Sequence, residues 1–393
     1  MKVLVIGNVG FDLMAPYLRA KDIETVLVVT TSEPLNAEYA DKAFMFLSDC
    51  EYEPLIDLAL SEKVDAVISI AGPDIVNVRD SHVKKILENE HGIPVLANPI
   101  DAVLTAANKI KTKEFLTKHG LPTTEGKKAN SISEALSIAK DFGYPIVVKS
   151  PDNSGGIGMR LAENRLDLIK SVGKQRGVLL EKYVSGPEFS VEVLNFDGKA
   201  IPLLPVFKGY TNHSCLHPME RVKLAPAPLS ESNTALLRDI ALKAITTLNV
   251  QPTGDVDFVW SENGPLILEI NPRFGGVTAL SMAASGIVSY YAIVDMLLGN
   301  WHSTNYDFDT HYAADMPVYS DIEIDQVNTL LGINGVFRVK LQKLSKTTGR
   351  IALKARSKSK LFDAAERVSS ICNCPDCYIE LKNIPGELKV AAH

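Results

Sequence analysis

Three observations in the sequence predict an α/β protein. Strand-type runs alternate with helical patterns over roughly the first hundred residues, which points to a parallel sheet there. Two hairpin signals follow, one around Asp197-Gly198 and one around Asn263-Gly264. Between them, residues 233–249 place Leu236, Leu237, Ile240, Ala244, Ile245 and Leu248 on one face of an amphipathic helix.

In order along the chain, residues 2–7 (Lys-Val-Leu-Val-Ile-Gly) read as a buried strand, followed by a turn at Gly7-Asn-Val-Gly10 and a helical pattern to Ala20. Further strands are expected at 25–30, 64–70 and 94–97. The first turn lacks a full G-x-G-x-x-G, so it is weak support for a dinucleotide site and fits equally a substrate pocket at the strand ends. Residues 108–119 predict a helix stopped by Gly120. Ser131-Ile-Ser-Glu134 is a capping-box pattern opening a helix that ends near Gly143. Strands are expected at 145–150, 178–184, 189–196 and 199–206. Residues 207–230, with Pro218, Pro226 and Pro228, read as irregular, as do residues 301–319. The remainder reads as strand-rich and ends in the cysteine cluster.

A chain of 393 residues predicts two or three domains, and 46% hydrophobic residues suffice for their cores. The net charge of -6 argues against nonspecific nucleic-acid binding. Residues 274–294 carry no charge and are long enough to cross a bilayer, but Gly275, Gly276, Gly286 and internal serines favour a buried helical segment of a soluble protein. Met1-Lys2 runs straight into a strand without a leader pattern, so a cytoplasmic location is expected. Five cysteines do not make a disulfide framework. Cys372, Cys374 and Cys377 have a spacing that suits zinc without a clear fourth ligand, and the preferred reading is reduced structural thiols. His213, Cys215 and His217 carry ligand-type groups, yet a polar loop is the simpler account.

The densest chemistry lies in the second hairpin, Asp255-Val-Asp257-Phe-Val-Trp260 followed by Leu266-Ile-Leu-Glu269-Ile-Asn271-Pro-Arg273. A turn centred on Asn263 sets Asp257 opposite Glu269, and alternation puts Asn271 on the same face. Like charges directly opposite are destabilising unless a hard cation turns the repulsion into coordination. A solvated surface hairpin is the alternative. Upstream, Ser154-Gly155-Gly156-Ile-Gly158 follows Lys149; glycines let backbone N–H groups approach a phosphate, and Lys149 adds a point charge. No Gly-Lys-Ser/Thr follows, so this is not a Walker A loop.

Taken together and in this order, these segments resemble an ATP-grasp ligase of the carbamoyl-phosphate-synthase-like or L-amino-acid-ligase-like branch. The resemblance runs over about 108–298 and rests on Asn108-Lys109, Val147-Val148-Lys149, the glycine loop, Glu181-Lys182-Tyr183-Val184, Gly186-Pro-Glu188, Asp257 and Glu269-Ile-Asn271-Pro-Arg273. It implies an ATP-grasp fold at 105–300, with a lid at about 123–184. It also implies a Rossmann-like domain at 1–104, leaving a smaller α+β region at 301–393. By the same resemblance, ATP with Mg2+ (or Mn2+) is the cofactor. Lys109 and Lys149 would hold its phosphates, and Ser154, Gly155 and Gly156 would cover them. Glu181, Lys182, Tyr183 and Val184 would bind adenine, largely through backbone groups, and Glu188 the ribose. Asp257, Glu269 and Asn271 would hold the metal, and Arg273 would steady an acyl phosphate.

The implied activity joins a small-molecule carboxylate to an amine, with no nucleic acid or membrane partner; such ligases are often homodimers. Bicarbonate as the acid is the second reading, without biotin, because the chain has no Met-Lys-Met acceptor motif. A nucleotide-binding regulatory protein without turnover is the third. Substrate specificity is expected from residues 207–223, with Lys208, His213, His217, Glu220 and Arg221 as candidates, and from the surface beyond Arg273.

Overall fold

The computed structural model of the chain describes residues 1–150, 159–173, 177–211, 215, 217–302, 308–344 and 346–390. Strands β1 (Lys2–Ile6), β2 (Glu24–Val29), β3 (Lys42–Met45), β4 (Ala66–Ser69) and β5 (Val95–Leu96) form a parallel sheet in the order β3-β2-β1-β4-β5. Alternation sends Val3, Val5, Leu27 and Ile68 to one face, against Phe11, Met14 and Leu18. Leu4, Ile6, Val26 and Val67 pack on the other, against Leu55, Val83 and Leu87. Burial on both faces is why these strands read as continuous apolar runs. β3 escapes a sequence reading because it is a short, largely exposed edge strand.

A second, antiparallel sheet contains β6 (Gly126–Ala129), β7 (Ile146–Lys149), β8 (Arg160–Ala162) and β9 (Val178–Lys182) in the order β6-β9-β7-β8. The helices Ile132–Phe142 and Arg165–Val172 back it through Ala135, Ala139, Phe142, Leu168 and Val172. Ser131 Oγ caps the first of these by accepting from the Glu134 N–H (3.1 Å), while the Glu134 carboxylate reaches back to the N–H of Asn130 (2.8 Å).

The third sheet is antiparallel and largest. It comprises β10 (Pro187–Phe196), β11 (Lys199–Pro202), β12 (Val206–Tyr210), β13 (Lys223–Ala225), β14 (Thr253–Ser261), β15 (Gly264–Asn271), β16 (Tyr312–Val318), β17 (Val336–Leu344) and β18 (Thr347–Ala355). Its order is β15-β14-β10-β12-β13-β16-β18-β17, with β11 paired to β10. The helix Glu231–Leu248 packs Leu237, Ala244, Ile245 and Leu248 against Phe189, Val191, Val256 and Phe258. A parallel bridge between Thr123 and Ile267 ties the second sheet's entry to β15.

Three expectations change, and a fourth is met with a bend the sequence did not show. Residues 207–230 are not wholly irregular: β12 and β13 run through them, buried except for Tyr210, where prolines, Lys208 and Gly209 obscure the pattern. Residues 301–319 contain β16, a buried strand disguised by Asp315 and Pro317. Beyond β16 the tail has the helix Ile324–Leu331, two strands, then the helices Lys358–Ile371 and Pro375–Asn383, so it is more helical than expected. The uncharged stretch from 274 is two buried helices, Thr278–Ser285 and Ser289–Leu297, bent by 91°. Among the described residues no single helix is long and apolar enough to cross a membrane. Cys372, Cys374 and Cys377 are free thiols buried in the core that unites the large sheet with the tail helices.

Candidate active site

The hairpin has the register its turn predicts. Asp257 stands opposite Glu269 and Asp255 opposite Asn271, with a bulge between Asp257 and Phe258. Asp257 is buried, and its Oδ2 accepts from Lys208 Nζ of β12 at 2.5 Å. Burial pushes this carboxyl up, but Lys208 outweighs it, and Asp257 lies below the usual carboxylate range. Its Oδ1 is buried with no hydrogen-bond partner among the described residues. Asp255, overlooked in the sequence, is pushed by burial and by the charge of Asp257 up to about 7. Gly275 closes over it: a Cβ there would fall on the Asp255 carboxylate.

Asn271 is held by Asp255 and Arg273. Its Nδ2 donates to Asp255 Oδ1 (2.9 Å), and its Oδ1 accepts from Arg273 Nη2 (3.1 Å). Arg273 in turn donates from Nε to Asp74 Oδ1 (2.7 Å), at the start of the helix Asp74–His91. The structure therefore groups Asp257 with Glu269, and Asn271 with Arg273, side by side on one hairpin.

Asp257 and Glu269 line an open cleft. Lys109, Lys149, Lys182, Tyr183, Val184 and Glu188 line it. Lys149 ends β7, and its ammonium contacts Glu181 Oε2 of β9. Glu181 Oε1 accepts from Lys113 Nζ (2.6 Å) and Thr124 Oγ1 (2.9 Å). Burial pushes Glu181 up, but Lys149 and Lys113 outweigh it and hold it at about 2. Lys113 was missed in the sequence; its one signal is its place a helical turn after Lys109. Glu188 accepts from Arg221 Nη1 (2.8 Å) at one oxygen and from Thr211 Oγ1 at the other. Ser154, Gly155 and Gly156 lie outside the described residues.

The candidate specificity residues separate. Lys208 and Arg221 are committed to Asp257 and Glu188. His217 Nδ1 accepts from the Met219 N–H (3.2 Å), Glu220 pairs with Lys346 (3.6 Å), and His213 lies outside the described residues. Lys223, also missed, is buried and donates to the Gly276 carbonyl (3.2 Å). Burial, and then the charge of Arg350, lower it to about 7. Arg350 donates to the carbonyls of Met219 and Arg221, fixing that segment from β18.

Among the described residues no three His, Cys, Asp or Glu side chains converge as a complete metal cage. Two adjacent acids, one with a buried oxygen lacking a partner among the described residues, nevertheless fit magnesium, which takes one or two protein carboxylates and completes its shell with phosphates and water.

Residues 108–297 match the family described as the carbamoyl-phosphate synthase L chain, ATP binding domain. That segment is similar to an ATP-grasp domain. A carbamoyl-phosphate synthase of Methanobrevibacter smithii is 29% identical over 322 residues, spanning 81% of this chain and 87% of that protein. Among solved ATP-grasp structures, the L-amino acid ligase of Bacillus licheniformis superposes with a TM-score of 0.75 at 17% identity, over 98% of this chain and 97% of that one. The biotin carboxylase domain dimer of Hydrogenobacter thermophilus 2-oxoglutarate carboxylase, in complex with MgADP, ADP and bicarbonate, gives 0.73 at 20%, over 94% and 89%. At such identities the structural likeness is one of fold.

Proposed function

We propose that the chain is an ATP-dependent carboxylate–amine ligase that forms an amide through an acyl phosphate and releases ADP and phosphate. The observation that carries this is Asp257 set opposite Glu269, its buried Oδ1 without a hydrogen-bond partner among the described residues, in an open cleft that Lys149 also lines. Lys109 and Lys149 hold the phosphates, the backbone of Lys182, Tyr183 and Val184 beside Glu181 takes adenine, and Glu188 takes the ribose hydroxyls. Asp257, Glu269 and Asn271 would hold Mg2+ (or Mn2+). The metal, when bound, neutralises phosphate charge.

A carboxylate is a poor electrophile. Its oxygen attacks the γ-phosphorus, ADP leaves, and the acyl phosphate now carries a good leaving group. An amine attacks the carbonyl carbon, phosphate departs with its bonding pair, and the amine proton is lost. The protein's work is placement and charge compensation. Arg273 lies at the end of β15 beside the acids, where it steadies the departing phosphate. A homodimer is part of this reading, as the solved biotin carboxylase domain is a dimer.

The test is phosphate release from MgATP with single acids and with acid–amine pairs, alongside Glu269→Ala. Release that requires one pair and falls roughly a hundredfold or more in the variant supports the ligase. ATP binding without release over a broad panel would sink it. The bicarbonate in the solved biotin carboxylase complex favours a second reading with bicarbonate as the acid. Release driven by bicarbonate without an amine would select it.

A further inference from the structure

Lys113 is 7% exposed and has spent its hydrogens inside the protein. Its ammonium donates to Thr123 Oγ1 (2.8 Å) and Thr124 Oγ1 (2.7 Å) and pairs with Glu181 Oε1 (2.6 Å). An ammonium has three N–H groups, so nothing remains for a ligand. Lys149 differs. It lines the cleft, and among the described residues its one hydrogen-bonded partner is Glu181 Oε2. The two lysines thus divide one carboxylate between its two oxygens.

Around Glu181 itself two ammonium groups share one carboxylate, while Glu269 and Glu188 act on Lys149 from the lining of the cleft. A lone Lys149–Glu181 pair would be neutral and self-contained, and a phosphate could recruit Lys149 only by stranding a buried carboxylate, which is strongly unfavourable. With Lys113 and Thr124 fixed on Oε1, Glu181 stays compensated when Lys149 leaves. We propose that Lys113 is a positioning residue for phosphate capture: it holds Glu181 so that Lys149 exchanges that carboxylate for a nucleotide phosphate. The anchor is rigid, because Thr123 Oγ1 donates on to the Ile267 carbonyl of β15 (2.8 Å), the strand that carries Glu269. This inference rests on the reading of Lys149 as a phosphate ligand.

The test is equilibrium binding of ATP and of AMP, with Mg2+, to the full chain by calorimetry. Lys113→Met is expected to weaken ATP roughly tenfold or more while leaving AMP near the wild-type affinity, a ratio that a general structural defect would not move. Adding Glu181→Gln to Lys113→Met removes the charge that clamps Lys149 and is expected to restore most of the ATP affinity. Wild-type ATP binding by folded Lys113→Met, or a double variant no better than the single one, overturns the proposal. If Lys113→Met does not fold, Thr124→Val removes the other Oε1 donor; it should lower ATP affinity about twofold to threefold with AMP unchanged, and no loss overturns the proposal. Lys149→Met separates the two levels. If it weakens ATP and Lys113→Met does not, only this inference fails. If it leaves ATP binding unchanged, the reading of Lys149 and the inference fail together.

Discussion

Glu192 of β10 is 1% exposed, and burial pushes its carboxyl up to about 7 against the pull of the hydroxyls of Ser289, Thr278, Ser281 and Thr253. In the unfolded chain it titrates near 4.5. A raised acid adds stability that is complete below about pH 4.5 and is lost as pH rises through about 7, here about 3 kcal/mol. Glu192→Gln is expected to flatten the fall in urea midpoint between pH 5 and pH 8; an unchanged slope would refute this. Glu181 has the opposite sign. Held at about 2, it contributes stability that is present above its unfolded value of 4.5 and lost as pH falls toward 2. Glu181→Gln should therefore remove part of the acid-induced loss of stability. At this scale the sequence was legible where a pattern fixed geometry. The turn at Asn263 set Asp257 against Glu269, and a single slip would have sent every side chain to the other face. Lys113 and Lys223 had no such marker. One polar residue in a strand or on a helix looks the same whether it lies in solvent or beside a buried partner.

Among the elements, the break between Thr278–Ser285 and Ser289–Leu297 positions the layer beneath the site. Gly286 has φ +74, and a Cβ there would lie 3.0 Å from the Asp309 Cβ. Gly286→Ala is expected to lower stability by about 1–3 kcal/mol, read from a denaturant midpoint. The same sequence read as one apolar segment because hydropathy reports burial and is blind to a bend. β13 and β16 were hidden for related reasons. Three residues are too short to show alternation, and Pro317 with Asp315 makes a buried strand look like a loop. The capped helices, by contrast, were readable: Asn108 accepts from the N–H groups of Ile110 and Lys111, fixing the start of the helix that carries Lys109 and Lys113.

At the scale of the molecule, the parallel sheet and the hairpin are held to one another by polar contacts at the site. Asp74 meets Arg273, and Asn98 Nδ2 donates to the Pro272 carbonyl at 2.7 Å. Tyr17 stacks on Tyr291 at 4.3 Å and donates to Asp295. Asp74→Ala should free Arg273 from its only carboxylate partner among the described residues. We expect a change in kcat for phosphate release with a smaller change in ATP affinity; the reverse pattern would place Asp74 in nucleotide binding. The parallel sheet was legible from its first strands, but no sequence pattern announces a pairing across 199 positions.

The ladder from β13 to β16 has one more consequence. Lys223, Leu224 and Ala225 pair with Asp315, Ala314 and Ala313, so the strands that carry Glu188 and Asp257 continue without interruption into the tail. Cutting the chain after Gly299 would leave β13 as a raw edge, with the Met219 and Arg221 carbonyls deprived of Arg350. Residues 1–299 alone should therefore aggregate. Co-expression with residues 300–393 should yield a soluble, working complex by complementation, the missing strands zipping onto the open edge. Tail and catalytic strands would then behave as halves of one folding unit, so separating them by linker insertion would be tolerated while exchanging either half for a foreign one would not.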